Sequence, residues 1–591
     1  MQSTLSFYTG RLDIVSKAHE TIVKKRQWIT LLRFLFFISA AILIVLFIRG
    51  NIESYLPAIF SFVAFVIVVR IDVNLLEKKR FISKQLFTIE NEIGVLQNLE
   101  NKFDNGSNFA SDENYTDDLD VFGRYSIFHL INRCSTHHGL QLLVERLKQP
   151  YTQKSVIENY QEAVKNYSSQ PITREHVIAA GLVMEENSGT LDDVSGWMQT
   201  EQKFEGKMMP QVLRFLLPIL NFATAWYWLS EGNYLPFILS VIVTWIYLGS
   251  SSAYIHKQHQ LIGKKNEILN QYAGILFHFS HIEPSSSAYL HQLKEQSSFA
   301  FAEIKKLSKL SELFDQRLNM LVFILLNTFF LYDIQVIIRL EKWKTKNRHA
   351  FPGWLKAVAD IEYLNSLSAF SFNNPDFSFP QLTEDSKTIL AVQLSHPLIA
   401  PSERVYNDFV LGKNEKLMLI TGSNMSGKST FLRSIGINVL LAQCGAPVCA
   451  QSFQLMPVRM LTCIRITDSL HEHTSYFMAE LKKLQQIIHA LREDIFSLVL
   501  IDEILRGTNS DDKHHGSQKY IEQLISFPCL SLFATHDVQL GQLEQTYPGL
   551  VGNYCFESTI LDDEIYFDYK LHKGVSKNRN ASFLMKKMEI I

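Results

Sequence analysis

Lys416-Leu-Met-Leu-Ile-Thr421 runs directly into Gly422-Ser423-Asn424-Met425-Ser426-Gly427-Lys428-Ser429-Thr430, and then into Phe431-Leu-Arg-Ser-Ile-Gly-Ile-Asn-Val-Leu-Leu-Ala442. The first piece is an apolar strand, the second spells GxxxxGK[ST], and the third has helical character, the context in which that spelling binds phosphate. Glycines let backbone N–H groups curl round a phosphate chain at the helix N-terminus. Lys428 then reaches the β- and γ-phosphates, and the Ser429 hydroxyl is placed to ligate Mg²⁺. A purely structural glycine-rich turn is the minor alternative.

Two further strands extend the pattern. Phe496-Ser-Leu-Val-Leu-Ile501 ends in Asp502-Glu503, and Leu530-Ser-Leu-Phe-Ala534 ends in Thr535-His536. In a parallel sheet all three strand tips share one edge. There Asp502 is expected to hold Mg²⁺ through water, Glu503 to polarise the attacking water, and His536 to sense the γ-phosphate. From about 386 onward short β-rich runs alternate with helices, predicting a parallel α/β domain over 386–591.

Upstream the character changes. Residues 121–208 and 262–375 are rich in helix formers with apolar residues at i, i+3 and i+4, predicting a helical core. Two stretches there and before it are more apolar than a soluble core requires: Leu31 to Ile48 with Tyr55 to Val69, and Val212 to Leu229 with Tyr234 to Gly249, each pair joined by a short polar break. Each run is about 15–18 residues, at the short end for a bilayer core of roughly 30 Å. Trp28, Tyr55, Trp226, Trp228, Tyr234 and Tyr247 supply interfacial aromatics. Lys24, Lys25 and Arg26 before the first pair, Arg70, Lys78, Lys79 and Arg80 after it, and Lys257, Lys264 and Lys265 after the second place all flanks on the cytoplasmic side. Buried core helices are the alternative, favoured by Arg33, Arg214, Pro218 and Asn221 within the runs. A fifth run, Leu318 to Tyr332, has no hairpin partner and is expected to be a buried helix. Residues 82–104 read as a charged amphipathic helix and 104–120 as a polar, acidic linker without periodicity.

The chain of 591 residues carries 57 Lys+Arg against 59 Asp+Glu, a net charge of −2, with 47% hydrophobic residues. That balance excludes a disordered acidic chain and a protein held on nucleic acid by a global positive field. Basic clusters at Lys305-Lys306, Lys342 to Arg348 and Lys586-Lys587 have phosphate contact as one reading and solvated helix faces as the commoner one. Six cysteines show no paired CxxC spacing and read as free thiols in a reducing compartment. The N-terminus has no cleavable-signal pattern.

The spellings GSNMSGKST, VLIDEILRGTNS, SLFATHD and Thr474-Ser475-Tyr-Phe-Met-Ala-Glu480 resemble the ATPase domain of MutS proteins, ABC-type ATPases that work as dimers. Ser423 and Ser426 stand where the family has Pro and Gly, and Leu505 stands where it usually has Gly. Ser126 to Asn132, Ser135 to Gly139, Leu147 to Pro150 and Trp354 to Ala369 resemble the family's core and lever helices. The resemblance implies ATP and Mg²⁺ as cofactors and a homodimer, in which Ser475 of one protomer caps the ATP held by Gly422 to Thr430 of the other. It also raises DNA as a partner. Against that, no mismatch-reading domain fits into 1–120, the second hairpin stands where the family has its clamp, and Phe301-Ala-Glu303 is a chance tripeptide.

The expected architecture is multidomain, an α-helical core with two transmembrane hairpins plus a C-terminal α/β P-loop (ABC-type) ATPase domain. Its divisions are a cytoplasmic segment 1–30, a first hairpin 31–70, a helix and linker 71–120, a core 121–380 with the second hairpin at 212–250, and the ATPase domain 386–591. The expected location is the cytoplasmic membrane, multi-pass, with core and ATPase domain inside. Two functional classes are compatible with this: a DNA-linked ATPase without orthodox mismatch recognition, and a membrane mechanoenzyme that acts on a membrane or protein partner.

Overall fold

The computed structural model describes residues 2–98, 100–110, 115–183, 190–465, 476–505, 508–561 and 564–577. It is mostly helical, and among the described residues every strand lies after residue 380. The first apolar pair forms an antiparallel hairpin of helices Gln2–Ile48 and Leu56–Asn98. At 1.5 Å per residue these are about 65–70 Å long, so they continue far beyond the apolar runs. The polar ends are anchored in the helical core. Tyr8 packs edge-on against Phe372, Arg11 pairs with Glu175 at 2.9 Å, and buried Glu92 pairs with buried Arg133. Arg33 within the first run is matched by Asp72 on the opposite helix at 2.8 Å, and Asp72 also takes Arg26 at 3.1 Å.

The second hairpin comprises helices Met208–Glu231 and Leu235–Ile262. All four helices are long and apolar enough to cross a membrane. Their outward side chains, Phe34, Phe60, Ile219 and Ile246 among them, are not covered by the rest of this chain. Asn221 inside the second hairpin is buried, and its amide donates to Thr244 and to the Thr328 carbonyl.

The run Leu318 to Tyr332 departs from expectation. Helix Met320–Phe330 follows a bend of 107° and packs one side on the second hairpin, but its other side is open: Met320 is 75% and Leu321 74% exposed. Absence of a hairpin partner in the sequence had suggested burial. The helix finds its partner instead in a hairpin roughly a hundred residues earlier.

The core is organised round helix Phe351–Asn373, which is buried along most of its length. Its Tyr363 hydroxyl donates to the Cys444 carbonyl at 2.6 Å, just past the end of helix Lys428–Gln443. Helical core and α/β domain therefore share one continuous apolar interior. The acidic stretch 104–120 also departs from its reading as a linker. Its last part, Tyr115–Asp118 and Asp120, docks on the α/β domain: buried Asp118 accepts from Thr462, Arg465 N–H and Lys483, and Asp120 pairs with Arg433 and Arg465. The absence of periodicity hid a contact made by buried Tyr115 and Leu119 together with the Asp118 and Asp120 carboxylates.

Among the described residues, ten strands complete the fold: β1 Gln381–Leu382, β2 Ile389–Leu394, β3 Asn407–Leu411, β4 Leu417–Gly422, β5 Ser452–Leu455, β6 Arg459–Cys463, β7 Ser497–Asp502, β8 Cys529–Thr535, β9 Val551–Leu561 and β10 Glu564–Lys573. The main sheet has the order β10-β9-β4-β8-β7-β6, parallel except for β10 on β9. β4, β7 and β8 are buried at every position, as befits strands covered on both faces. A smaller sheet, β1-β5-β2-β3, lies beside it. The six cysteines are buried and form no disulfide with one another.

Candidate nucleotide site

Register sets the site. Thr421 of β4 pairs with Thr535 of β8, and Asp502 of β7 pairs with Ala534 of β8, so the three strand ends lie side by side. The Glu503 N–H donates to the Ala534 carbonyl at 2.9 Å, carrying the ladder one residue further. Gly422, Asp502, Glu503 and His536 are thereby brought to the carboxyl edge of a parallel sheet, where open α/β sheets bind ligands.

The turn after β4 needs its glycine. Gly427 has φ +106° and caps helix Lys428–Gln443; a Cβ there would lie 3.1 Å from the Tyr569 ring. No side chain caps this helix, so its first-turn N–H groups face the loop. Lys428 is buried, and its Nζ donates to the carbonyls of Gly422 and Ser423 at 2.9 Å each, inside the loop it serves. The Ser426 hydroxyl is buried and, among the described residues, has no hydrogen-bond partner. Met425 sits at φ +68° with its side chain outward.

The Ser429 hydroxyl donates to Asp502, so the two expected Mg²⁺ ligands already touch. Glu503, at φ +50°, is held from both sides: Lys513 Nζ lies 2.8 Å from one carboxylate oxygen and His536 Nε2 3.5 Å from the other. Burial, and then the nearby Lys428 charge, lower the His536 pKa below the ordinary histidine value. His536 is therefore neutral at pH 7, able to donate or accept through one ring nitrogen.

These groups line a cleft of about 780 Å³ that includes Asn424 and Thr430. Its second wall comes from the smaller sheet and the loop after β2, with Leu394, Ile399 and Asn407, and Tyr569 of β10 closes one side. A cleft of this size with a basic, N–H-rich floor and an apolar far wall suits a nucleoside triphosphate. The orphaned Ser426 hydroxyl and the loop-bound Lys428 ammonium fit an anion there, and the Ser429–Asp502 pair fits a hard cation.

Of the expected residues, Gly422 to Thr430, Asp502, Glu503 and His536 converge. Ser475 lies outside the described residues. Lys513, Tyr569 and the far wall were missed. Lys513 lies ten residues past Glu503 in a helix, without a motif of its own, and Tyr569 reaches the loop only because β10 folds back on β9. Leu505, in place of the usual Gly, keeps the left-handed backbone that a Gly would favour, with φ +59°. Its side chain is buried, and the Glu480 carboxylate accepts from its N–H at 2.7 Å.

Fold and site together define a C-terminal α/β sheet domain on a helical scaffold, with a candidate phosphate site at the carboxyl edge of its sheet. Residues 418–588 match the family model MutS domain V. The chain is 33% identical over 216 residues to MutS protein homolog 4 of Homo sapiens, covering 35% of this chain and 22% of the relative. It is 33% identical over 252 residues to the DNA mismatch repair protein MutS of Clostridium perfringens, covering 41% and 27%. With the DNA mismatch repair protein MSH3 of Meyerozyma guilliermondii the identity is 34% over 246 residues, covering 39% and 25%. These matches support the MutS family for the C-terminal domain; they span about a quarter of each relative's length.

Proposed function

We propose that this protein is a membrane-anchored, MutS-like ATPase that binds and hydrolyses ATP at the interface of a homodimer. The observation that carries the reading is the convergence of Lys428, the Ser429–Asp502 pair and the Glu503–His536 pair at adjacent strand ends. Gly422 to Thr430 wrap the phosphate chain with N–H donors, and Lys428 leaves the loop carbonyls to neutralise it. Ser429 and Asp502 would hold Mg²⁺, which would supply positive charge to screen the phosphate chain. Glu503 accepts a hydrogen bond from the attacking water and orients it, while neutral His536 donates toward the γ-phosphate. Ser475 of the partner protomer, by family resemblance, completes the site.

The four long apolar helices, their uncovered faces and the basic flanks support two membrane hairpins, with core and ATPase domain on the cytoplasmic side of the cytoplasmic membrane. Dimer opening and closing would reach the hairpins through the helical core.

A DNA-linked role follows from the relatives' names. A second reading, a membrane mechanoenzyme acting on a membrane or protein partner, is favoured by the basic clusters themselves. Lys306 and Lys346 both bind Glu303, buried Lys344 donates to Thr200, and Arg348 donates to Gln199. Lys306 and Lys346 remain exposed but share one carboxylate, and side chains already paired are less available to grip phosphates.

Phosphate release by the detergent-solubilised protein tests the catalytic assignment. Glu503→Gln is expected to lower turnover by roughly 10²-fold or more while keeping ATP affinity; equal turnover in parent and variant would refute it. Salt-dependent binding to branched, mismatched and plain duplex DNA separates the two functional classes.

A further inference from the structure

Residues 318–332 hold no charged side chain, yet they are bracketed by Arg317 and Asp333, which pair with each other at 3.2 Å. Between them helix Met320–Phe330 is about 16 Å long, half the thickness of a bilayer core of roughly 30 Å. A helix of that length can enter an apolar layer and return but cannot cross it.

Its inner side is fastened to the second hairpin. Phe323 meets Trp245 at 5.7 Å and Phe329 meets Phe237 at 6.2 Å between ring centroids, so the helix packs on Leu235–Ile262. Thr328 makes two polar contacts across the same face, its carbonyl accepting from Asn221 at 2.6 Å and its hydroxyl from the Trp245 ring N–H at 3.1 Å. Small polar groups between apolar helices are the usual means of fastening helices where no hydrophobic effect operates.

Both ends of the helix also have their backbone satisfied from within. The Asn319 carboxamide oxygen accepts from the N–H groups of Leu321 and Val322 at the start, the Gln335 side chain donates to the Phe330 carbonyl at 3.1 Å at the end, and the Asn327 carboxamide oxygen takes Asp333 N–H, in the first turn of the following helix, at 3.0 Å. Such capping serves helices in water as well, and it also meets the requirement of backbone at membrane depth, where nothing else can hydrogen-bond it.

We propose that Met320–Phe330 is a third membrane-embedded element, a half-depth re-entrant helix whose open side, at Leu321 and Leu325, faces lipid acyl chains. The occupant follows from continuity: the open side extends the uncovered apolar face of the second hairpin, to which its inner side is fastened. The inference rests on the membrane reading of that hairpin.

The test places single cysteines at exposed positions, Leu321→Cys and Leu325→Cys, with Ile219→Cys and Ile246→Cys on the second hairpin and Ile495→Cys on the α/β domain as references. The six native thiols are buried, and labelled parent protein supplies the background. Each variant of the full chain carries bimane and is reconstituted in phosphatidylcholine–phosphatidylglycerol vesicles. Quenching by acyl-chain nitroxide lipid is compared with quenching by aqueous iodide. At 321 and 325 the lipid quencher is expected to act several-fold more strongly than iodide, as at 219 and 246, with the reverse at 495. If 219 and 246 are lipid-quenched while 321 and 325 behave like 495, the re-entrant helix is wrong and the hairpin stands. Shielding of 321 and 325 from both quenchers would put protein, such as a second copy, on that face and overturn the lipid assignment. If 219 and 246 also behave like 495, the membrane reading fails and takes the re-entrant helix with it.

Discussion

Asp118 is the strongest single tie between the acidic stretch and the nucleotide-binding domain, and its removal has a calculable effect. The side chain is fully buried; one oxygen accepts from the Thr462 hydroxyl at 2.5 Å and Lys483 Nζ at 2.8 Å, and the other accepts from Arg465 N–H at 2.7 Å. Asp118→Asn keeps the volume but turns one oxygen into a donor, so whichever way the amide lies, it faces at least one donor. Hydrogen bonds to a charged group contribute about 1.5–3 kcal/mol each. Lys483, 21% exposed, can turn partly to water, which limits the net loss to about 3 kcal/mol. For a unit of about 150–250 residues that lowers Tm by roughly 6–12 °C. Thermal unfolding of the detergent-solubilised full chain should show it, with Asp13→Asn at an exposed helical pair changing Tm by about 1 °C or less. The cycle with Lys483→Met should give a coupling of about 0.5–3 kcal/mol. The three donors flank the stretch that carries Ser475, so ATP turnover should fall more than ATP affinity. A Tm for Asp118→Asn within about 1 °C of the parent, or strict additivity in the cycle, would show that 115–120 is a tether and not a structural joint.

Three other outcomes follow from local geometry. Gly427→Ala forces a side chain into φ +106° and against Tyr569, a strain of about 1–3 kcal/mol; titration with a fluorescent ATP analogue should show binding weakened roughly 5- to 150-fold, and unchanged affinity would mean that the loop adopts another path when loaded. His396 is buried, its Nδ1 accepts from Leu398 N–H, and burial, then the Arg433 charge, lower its pKa to about 4. The unfolded chain takes up this proton near pH 6.5 and the folded one only near 4, so the contribution is complete above 6.5 and lost as pH falls to about 4. At about 1.4 kcal/mol per pH unit it amounts to about 3 kcal/mol, and His396→Asn should flatten Tm against pH in that window. Leu505→Gly relieves a left-handed backbone worth about 1–2 kcal/mol but removes a buried side chain worth about 1.5–3 and adds backbone entropy worth about 0.5–1. The net is a Tm lower by a few degrees, and a higher Tm would show that strain outweighs packing.

What could be read from the chain was whatever a short local pattern specifies. The strand, turn and helix from Lys416 to Ala442 are defined by neighbours in sequence, and the acidic pair and the histidine after their strands needed only the rule that parallel strands share an edge. The apolar hairpins were legible because consecutive residues carry the signal. The misread segments have their partners far away. Nothing in Leu318 to Tyr332 announces that Thr328 will meet Asn221 and Trp245, so an apolar run without a neighbour looked like a core helix. Nothing in 104–120 announces Thr462, Lys483 or Arg433, so charge without periodicity looked like solvent-exposed chain. Lys513, which reaches Glu503, and Tyr569, which lines the cleft, belong to the same class, since each comes from an element whose own pattern is unremarkable. Hydrophobic periodicity reports which face of an element is covered, but a buried carboxylate or a fastening threonine is specified by its partner, and that partner is known only once the fold has brought the two together.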